Sequence, residues 1–346
     1  MKQRAHAWVT LRAFKLLDDS KKAPKLIEML SYYLSDVWKG AWLPDTQIGD
    51  MAYGHIYKMD TDAKELGLPK IEDWYTHDYK SLKSFLSGKR LCLDYVKNCE
   101  ELKKPYRSHP KKGGHLPNRV LALSHTIADM LKLSDFPISF YIQGKVPKGY
   151  TSDLSAQTVK NLSLSPNFSA RQIALMFFIL GHYICDAHMP LHCDFRDYGG
   201  ERTKAGKLHK DLHASIEDTW EDWFPVHEKL ALHDYTKKSI DNIVIDFPTG
   251  SKINIDKNET YKLNSQAISK MKGDIWQEMI YITRTSFAVS RKWIKQSYPN
   301  TDKMIEDIGE QEFKDVTNRI FHDTVESVTR TWSCIWEKFT GKAKTC

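Results

Sequence analysis

Between Ala170 and Met189 the chain is almost wholly apolar, with Ser169 placed to cap a helix and Pro190 to stop it, yet His182 and Asp186 lie inside this stretch. A segment of this kind has to be buried. A carboxylate buried beside Phe177, Phe178 and Ile184 is costly unless a cation answers it. The longest apolar run, which starts at Ile173, is broken by Gly181 and His182 and falls short of the roughly 20 residues a bilayer requires. The segment therefore reads as the central helix of a globular fold and argues against a membrane span.

The rest of the chain agrees. Apolar residues recur at helical spacing from Ala5 to Leu17, and Pro24 to Val37 continues in the same manner. Pro117 suits the first turn of a helix running to Leu133, with Val120, Leu121, Leu123, Ile127, Met130 and Leu131 as its stripe. Further helices are expected over Leu208–Phe224, Ile268–Ser297 and Phe313–Phe339. Alternating patterns are scarce; Ile243–Ile255 is either a short hairpin or a loop. The expectation is one all-α domain over residues 1–346.

Composition narrows the classes. The 17 Gly and 13 Pro are ordinary usage, which excludes collagen-like and low-complexity chains. With 10 Trp, 16 Tyr and 14 Phe the chain has too much to bury for a disordered one. A net charge of +7 fits an anionic partner, nucleic acid or a phospholipid surface, and fits a lysine-rich soluble surface as well. Six Cys without a CxxC pair leave the redox compartment open. The opening MKQRAHAWVTLRAF has no apolar core of a signal peptide, so either the protein is cytoplasmic or its leader is already removed. Asn161, Asn167 and Asn258 match the short glycosylation sequon. No Walker loop, GxGxxG helix entry or nucleophile elbow supports nucleotide-cofactor chemistry or serine hydrolysis.

Chemistry concentrates in Gly181–Cys193, GHYICDAHMPLHC, and half of the 14 His fall between His182 and His233. His182 and Asp186, four apart, project from one helix face and can hold one ion. His192 follows the Pro190 stop, where the chain can turn a third ligand back. His213 and Glu217 repeat the four-residue spacing downstream. Imidazoles and carboxylates in such pairs suit Zn²⁺. Any one of them alone is ordinary: a lone His on an apolar helix is usually a satisfied core residue. His188 points away from the His182 face and is read as support or substrate contact, while His209 could compete as a ligand. Cys185 and Cys193 read as small buried residues.

H-x-x-x-D-x-x-x-x-x-H followed by H-x-x-x-E, with PLH around His192, resembles the zinc-dependent phospholipase C and S1/P1 nuclease superfamily. The resemblance is strongest over residues 1–60 and 117–223, and leaves the helices within 265–340 without a role. It implies an all-α fold of the phospholipase C/P1 nuclease type holding three zinc ions in a cleft. It makes His182 and Asp186 ligands of one zinc, with Asp186 bridging to a second, and His192, His213 and Glu217 ligands of the third. AHAWVTLRAF is similar to the family's early helix and adds His6. AWLPDTQIGDMAYGHIYKM adds Asp45 and His55, with Asp50 as rival to Asp45 because the ten-residue interval is short for the family. Asp45 and Asp186 become the catalytic residues.

Family members begin with a Trp whose α-amino and carbonyl groups chelate a zinc. Here Met1 stands five residues before His6, as in the nuclease branch. Met1 supplies the amine, or stands in for a native Trp, or this part of the site is weak or empty. Trp8 reads as core. Glu217 is the phospholipase-branch ligand; LHKDLHASIE lacks the Asn and Asp of the nuclease pattern, though DYGGE is similar to the nuclease glycine pair. The resemblance thus implies a phospholipase C-like phosphodiesterase acting on phospholipid, with peripheral contact at a membrane surface. The alternatives are a single-strand-specific nuclease and a non-catalytic zinc-stabilised helical module. A secreted or extracytoplasmic location is also implied. Tyr183, Tyr198 and Trp220 are the aromatics that could stack a base.

Overall fold

A computed structural model of the chain describes residues 1–48, 54–60, 107–108, 114–134, 170–196, 211–222, 245–246, 252–253 and 274–341. The described residues are mostly helical: α1 Gln3–Ser20, α2 Pro24–Ser31, α3 Val37–Leu43, α4 Leu116–Ser134, α5 Ala170–His188, α6 Pro190–Cys193, α7 Leu212–Asp222, α8 Ile275–Trp293, α9 Thr301–Ile308 and α10 Glu310–Phe339. Two short antiparallel pairs complete it, β1 Met59–Asp60 with β2 Arg107–Ser108, and β3 Ile245–Asp246 with β4 Lys252–Ile253. The second pair is the hairpin alternative for Ile243–Ile255, with Ile245 opposite Ile253.

Several helix ends have a local cause. α1 stops where Lys21 turns left-handed (φ 54°) and returns its N–H to Asp18. Asp211 caps α7 by accepting from Ala214 N at 2.7 Å, and Asp274 with Gln277 forms a capping box at the start of α8. That cap sets the start of α8 at Ile275, where apolar spacing alone extended the helix back to Ile268. Gly309 (φ 88°) separates α9 from α10.

One expectation needs correction: Pro24–Val37 is not one helix. α2 ends at Ser31, a 3₁₀ turn covers Leu34–Asp36, and α3 begins at Val37. The tighter turn keeps Leu30, Leu34 and Val37 buried, so the apolar period runs through a backbone break it cannot report. The short helix α9, capped by Asn300, was not expected either.

A single core runs through the described helices, with Trp8, Trp276, Trp332, Phe177 and Phe178 fully buried within it. Each such side chain contributes about 1.5–3 kcal/mol by leaving water. α5 is the hub, packed against α1, α3, α4, α8 and α10. Its burial explains its unbroken apolar sequence. No helix among the described residues is long and apolar enough to cross a membrane. Cys185 and Cys193 are free and buried, as their apolar surroundings suggest, whereas Cys334 is disulfide-bonded.

Candidate metal centre

His182 and Asp186 face inward from the last two turns of α5, buried to 0% and 1% exposure. His182 donates from Nδ1 to the Ala41 carbonyl in α3 at 3.0 Å, which leaves its Nε2 aimed into the site, free to bind a metal once its proton is lost. α1 supplies His6, whose ring stacks on His182 at 3.9 Å between centroids. The Pro44–Ile48 segment winds as a π-helical turn and brings Asp45 to the cluster. His55 follows on the stretch leading into β1. Gly114 (φ 79°) fixes that stretch, because a Cβ there would sit 2.1 Å from the Ile56 carbonyl. α6 carries His192, held as Tyr57 N donates to its carbonyl at 3.0 Å and Lys58 Nζ to the Leu191 carbonyl. α7 adds His213 and Glu217 one turn apart.

These side chains converge in three groups: His6, His182 and Asp186; Asp45, His55 and His182; and His192, His213 and Glu217. His182 belongs to two of them. Asp186 joins them, with Oδ2 at 2.6 Å from His55 Nδ1 and 3.1 Å from His182 Nε2, and Oδ1 at 3.5 Å from His6 Nε2 and 3.4 Å from His192 Nδ1. Met1 enters the same space. Its α-amine is 2.7 Å from Glu217 Oε1 and 3.4 Å from Asp186 Oδ1, and its carbonyl lies 2.9 Å from His6 Nε2.

No family model, curated protein or solved structure matches this chain. The donor set itself therefore carries the argument for a metal. In a tetrahedral zinc site, bonds of about 2.0–2.1 Å put neighbouring ligand atoms roughly 3.3 Å apart. Here His182 Nε2 is 3.4 Å and His55 Nδ1 3.6 Å from Asp45 Oδ1. His213 Nε2 is 3.2 Å and His192 Nε2 3.5 Å from Glu217 Oε1. The buried Nδ1 atoms of His6 and His192 make no hydrogen bond, and that of His192 lies 3.4 Å from Asp186 Oδ1. The residues fit metal ions.

Electrostatics follow from packing these charges together out of water. Burial lowers and Asp186 with Asp45 more strongly raise His182, which ends at about 9. Burial likewise opposes the Met1 ammonium, but Glu217 and Asp186 carry it to about 10. Burial takes His192 down to about 4 and, with His182 beside it, His6 well below its usual value. Asp186 and Glu217 are held well below the carboxylate range, against their burial, by the imidazoles and the α-amine around them. Without metal at neutral pH, His182 and Met1 thus hold protons while His6 and His192 do not.

Metal uptake at pH 7 must displace the His182 proton, and a second if the α-amine binds. Affinity is expected to climb about tenfold per pH unit for each proton released, levelling above pH 9 for His182 and above pH 10 for the α-amine. Calorimetric zinc titrations in buffers of different ionisation enthalpy check this; uptake without proton release contradicts it.

Of the residues singled out by sequence, Met1, His6, Asp45, His55, His182, Asp186, His192, His213 and Glu217 all come together. Asp50, His209 and Tyr198 lie outside the described residues, as do the three sequons. Of the two readings of His188, substrate contact is corrected: its Nε2 is 3.0 Å from Ser327 Oγ in α10 and it is buried there, so it faces the core and not a substrate surface. Tyr183 and Trp220 are 0% and 2% exposed and cannot offer a face to a base. Sequence missed the Ala41 carbonyl and Lys58. Neither a backbone oxygen nor an isolated lysine carries a pattern.

Proposed function

We propose that this protein is a zinc-dependent phosphoester hydrolase of the phospholipase C-like kind, with the corresponding all-α fold. The observation that carries this reading is the junction of three donor groups through His182 and Asp186. The cluster is unevenly exposed: the side chains of Asp45, His213 and Glu217 are 26%, 29% and 15% exposed, against 0–1% for His6, His182 and Asp186. Several cations near one another suit phosphoester hydrolysis, because zinc bound there supplies Lewis-acid charge to phosphate oxygens and acidifies water.

The chain's own residues divide the remaining work. His6, His55, His182 and Asp186 hold the buried side, and Asp186 spans it with both oxygens. His192, His213 and Glu217 hold the side that faces a phosphate group. Asp45, partly exposed at the edge of the cluster, is placed to accept a proton. Phospholipid is the substrate we favour: Trp42 and Ile48, three residues to either side of Asp45 in sequence, are 45% and 40% exposed and offer apolar surface to an acyl chain, although a tryptophan face also suits a base. The disulfide at Cys334 supports an oxidising, extracytoplasmic compartment.

The test pairs zinc content with hydrolysis of phosphatidylcholine and of single-stranded DNA, for wild type and His182→Ala. Near three zincs per chain and lipid cleavage lost in the variant are expected. DNA cleavage instead moves the protein to the nuclease branch, zinc without turnover points to a structural site, and no zinc at all sinks the assignment.

A further inference from the structure

α1 has no cap of its own. Lys2 at its N-cap makes no side-chain cap bond and the first turn holds no acidic residue, although four N–H groups at a helix start need acceptors. The acceptor comes from across the site. Glu221 of α7 takes Arg4 N at 3.0 Å on each oxygen, Ala5 N at 3.3 Å and Arg4 Nε at 3.1 Å. Its neighbour Asp218 takes Lys2 Nζ. Glu221 lies four residues after Glu217, so one face of α7 ligates the cluster and, one turn on, grips the helix that carries His6.

We propose that Glu221 is a positioning residue for the metal centre. It sets the register of α1 along α7, and so holds His6 and the segment before it against the His192–His213–Glu217 group. The bonds are charge-assisted on a carboxylate only 15% exposed, which makes this joint stiff. A register error there moves His6 relative to its co-ligands His182 and Asp186, and the Met1 α-amine relative to Glu217. The inference rests on the metal reading of the cluster.

The experiment measures zinc affinity by chelator competition and thermal unfolding of the zinc-free protein, for wild type, Glu221→Gln, Glu221→Ala and Asp274→Ala. The last variant removes a cap of the same kind from α8, remote in sequence from every ligand. Glu221→Ala is expected to weaken the loosest zinc by about 10- to 100-fold, the usual cost of losing a group that orients ligands. Glu221→Gln, which keeps one acceptor oxygen, should fall between, and Asp274→Ala should lower the melting temperature with affinity unchanged. Glu221→Ala behaving like Asp274→Ala, less stable with full zinc affinity, would reduce Glu221 to a helix cap and overturn the proposal. Wild type without tightly held zinc overturns the site reading and this inference together.

Discussion

Asp186→Asn is expected to lower phosphatidylcholine turnover by about 10²–10⁴-fold and to lose zinc, while leaving the helical fold in place. The substitution keeps the volume of a side chain that is 1% exposed, so packing is conserved. What it removes is the charge that His55 and His182 face on one oxygen and His6, His192 and Met1 on the other. Breaking a buried charge arrangement from one side costs about 3–5 kcal/mol, and each 1.36 kcal/mol is tenfold in rate or affinity. The amide also puts two N–H donors where ligands must be acceptors. A second readout separates this from simple misfolding. With Asp186 neutralised, the zinc-free His182 should titrate well below its present value of about 9, since Asp186 is the largest influence raising it. Metal analysis, helical circular dichroism and a histidine titration by NMR decide the matter. Full zinc content and wild-type turnover in this variant would remove Asp186 from the centre of the mechanism.

How much of this could be read from the chain depends on the range of each interaction. His182 with Asp186 and His213 with Glu217 were legible because a helix turns four-residue spacing into a shared face. Their meaning was legible because α5 is too apolar to bury a lone carboxylate. His6, Asp45 and His55 carry no such internal signal and came from motif resemblance alone. The 3₁₀ turn after α2 hid inside a continuous apolar period. The π-helical turn at Asp45 depends on how α3 packs, which no local pattern records. The contacts of Glu221 with Arg4 and Ala5 join segments about two-thirds of the chain apart. In sequence it is one more acidic residue on a half-exposed helix, and only folding distinguishes it from Asp222.

The same reasoning applies to Gly40, where a single methyl group is expected to disturb both packing and the metal centre. In isolation Gly40→Ala should favour α3, since alanine is the better helix former by about 1 kcal/mol. The structure reverses that sign. A Cβ at Gly40 would stand 2.3 Å from Phe178 Cβ, 3.0 Å from Phe178 C and 3.2 Å from Ile179 N. Two of these three are backbone atoms of the central helix, and Phe178 is fully buried, so no rotamer change clears the space. α3 must move off α5. Overpacking of this kind costs about 1–3 kcal/mol and occasionally more, and here it falls on the helix pair that anchors the site. The next residue, Ala41, supplies the carbonyl that fixes the His182 tautomer. Gly40→Ala is therefore expected to lower the melting temperature by about 1–4 °C, the shift such a cost produces in a chain of this length, and to weaken zinc binding as well. Gly309→Ala is the informative contrast: no atom lies within 4 Å of its Cβ, but its φ of 88° strains any L side chain. It should cost stability without touching zinc affinity, because the link between α9 and α10 carries no ligand. A Gly40→Ala protein that melts and binds zinc like wild type would mean that α3 and α5 do not approach this closely.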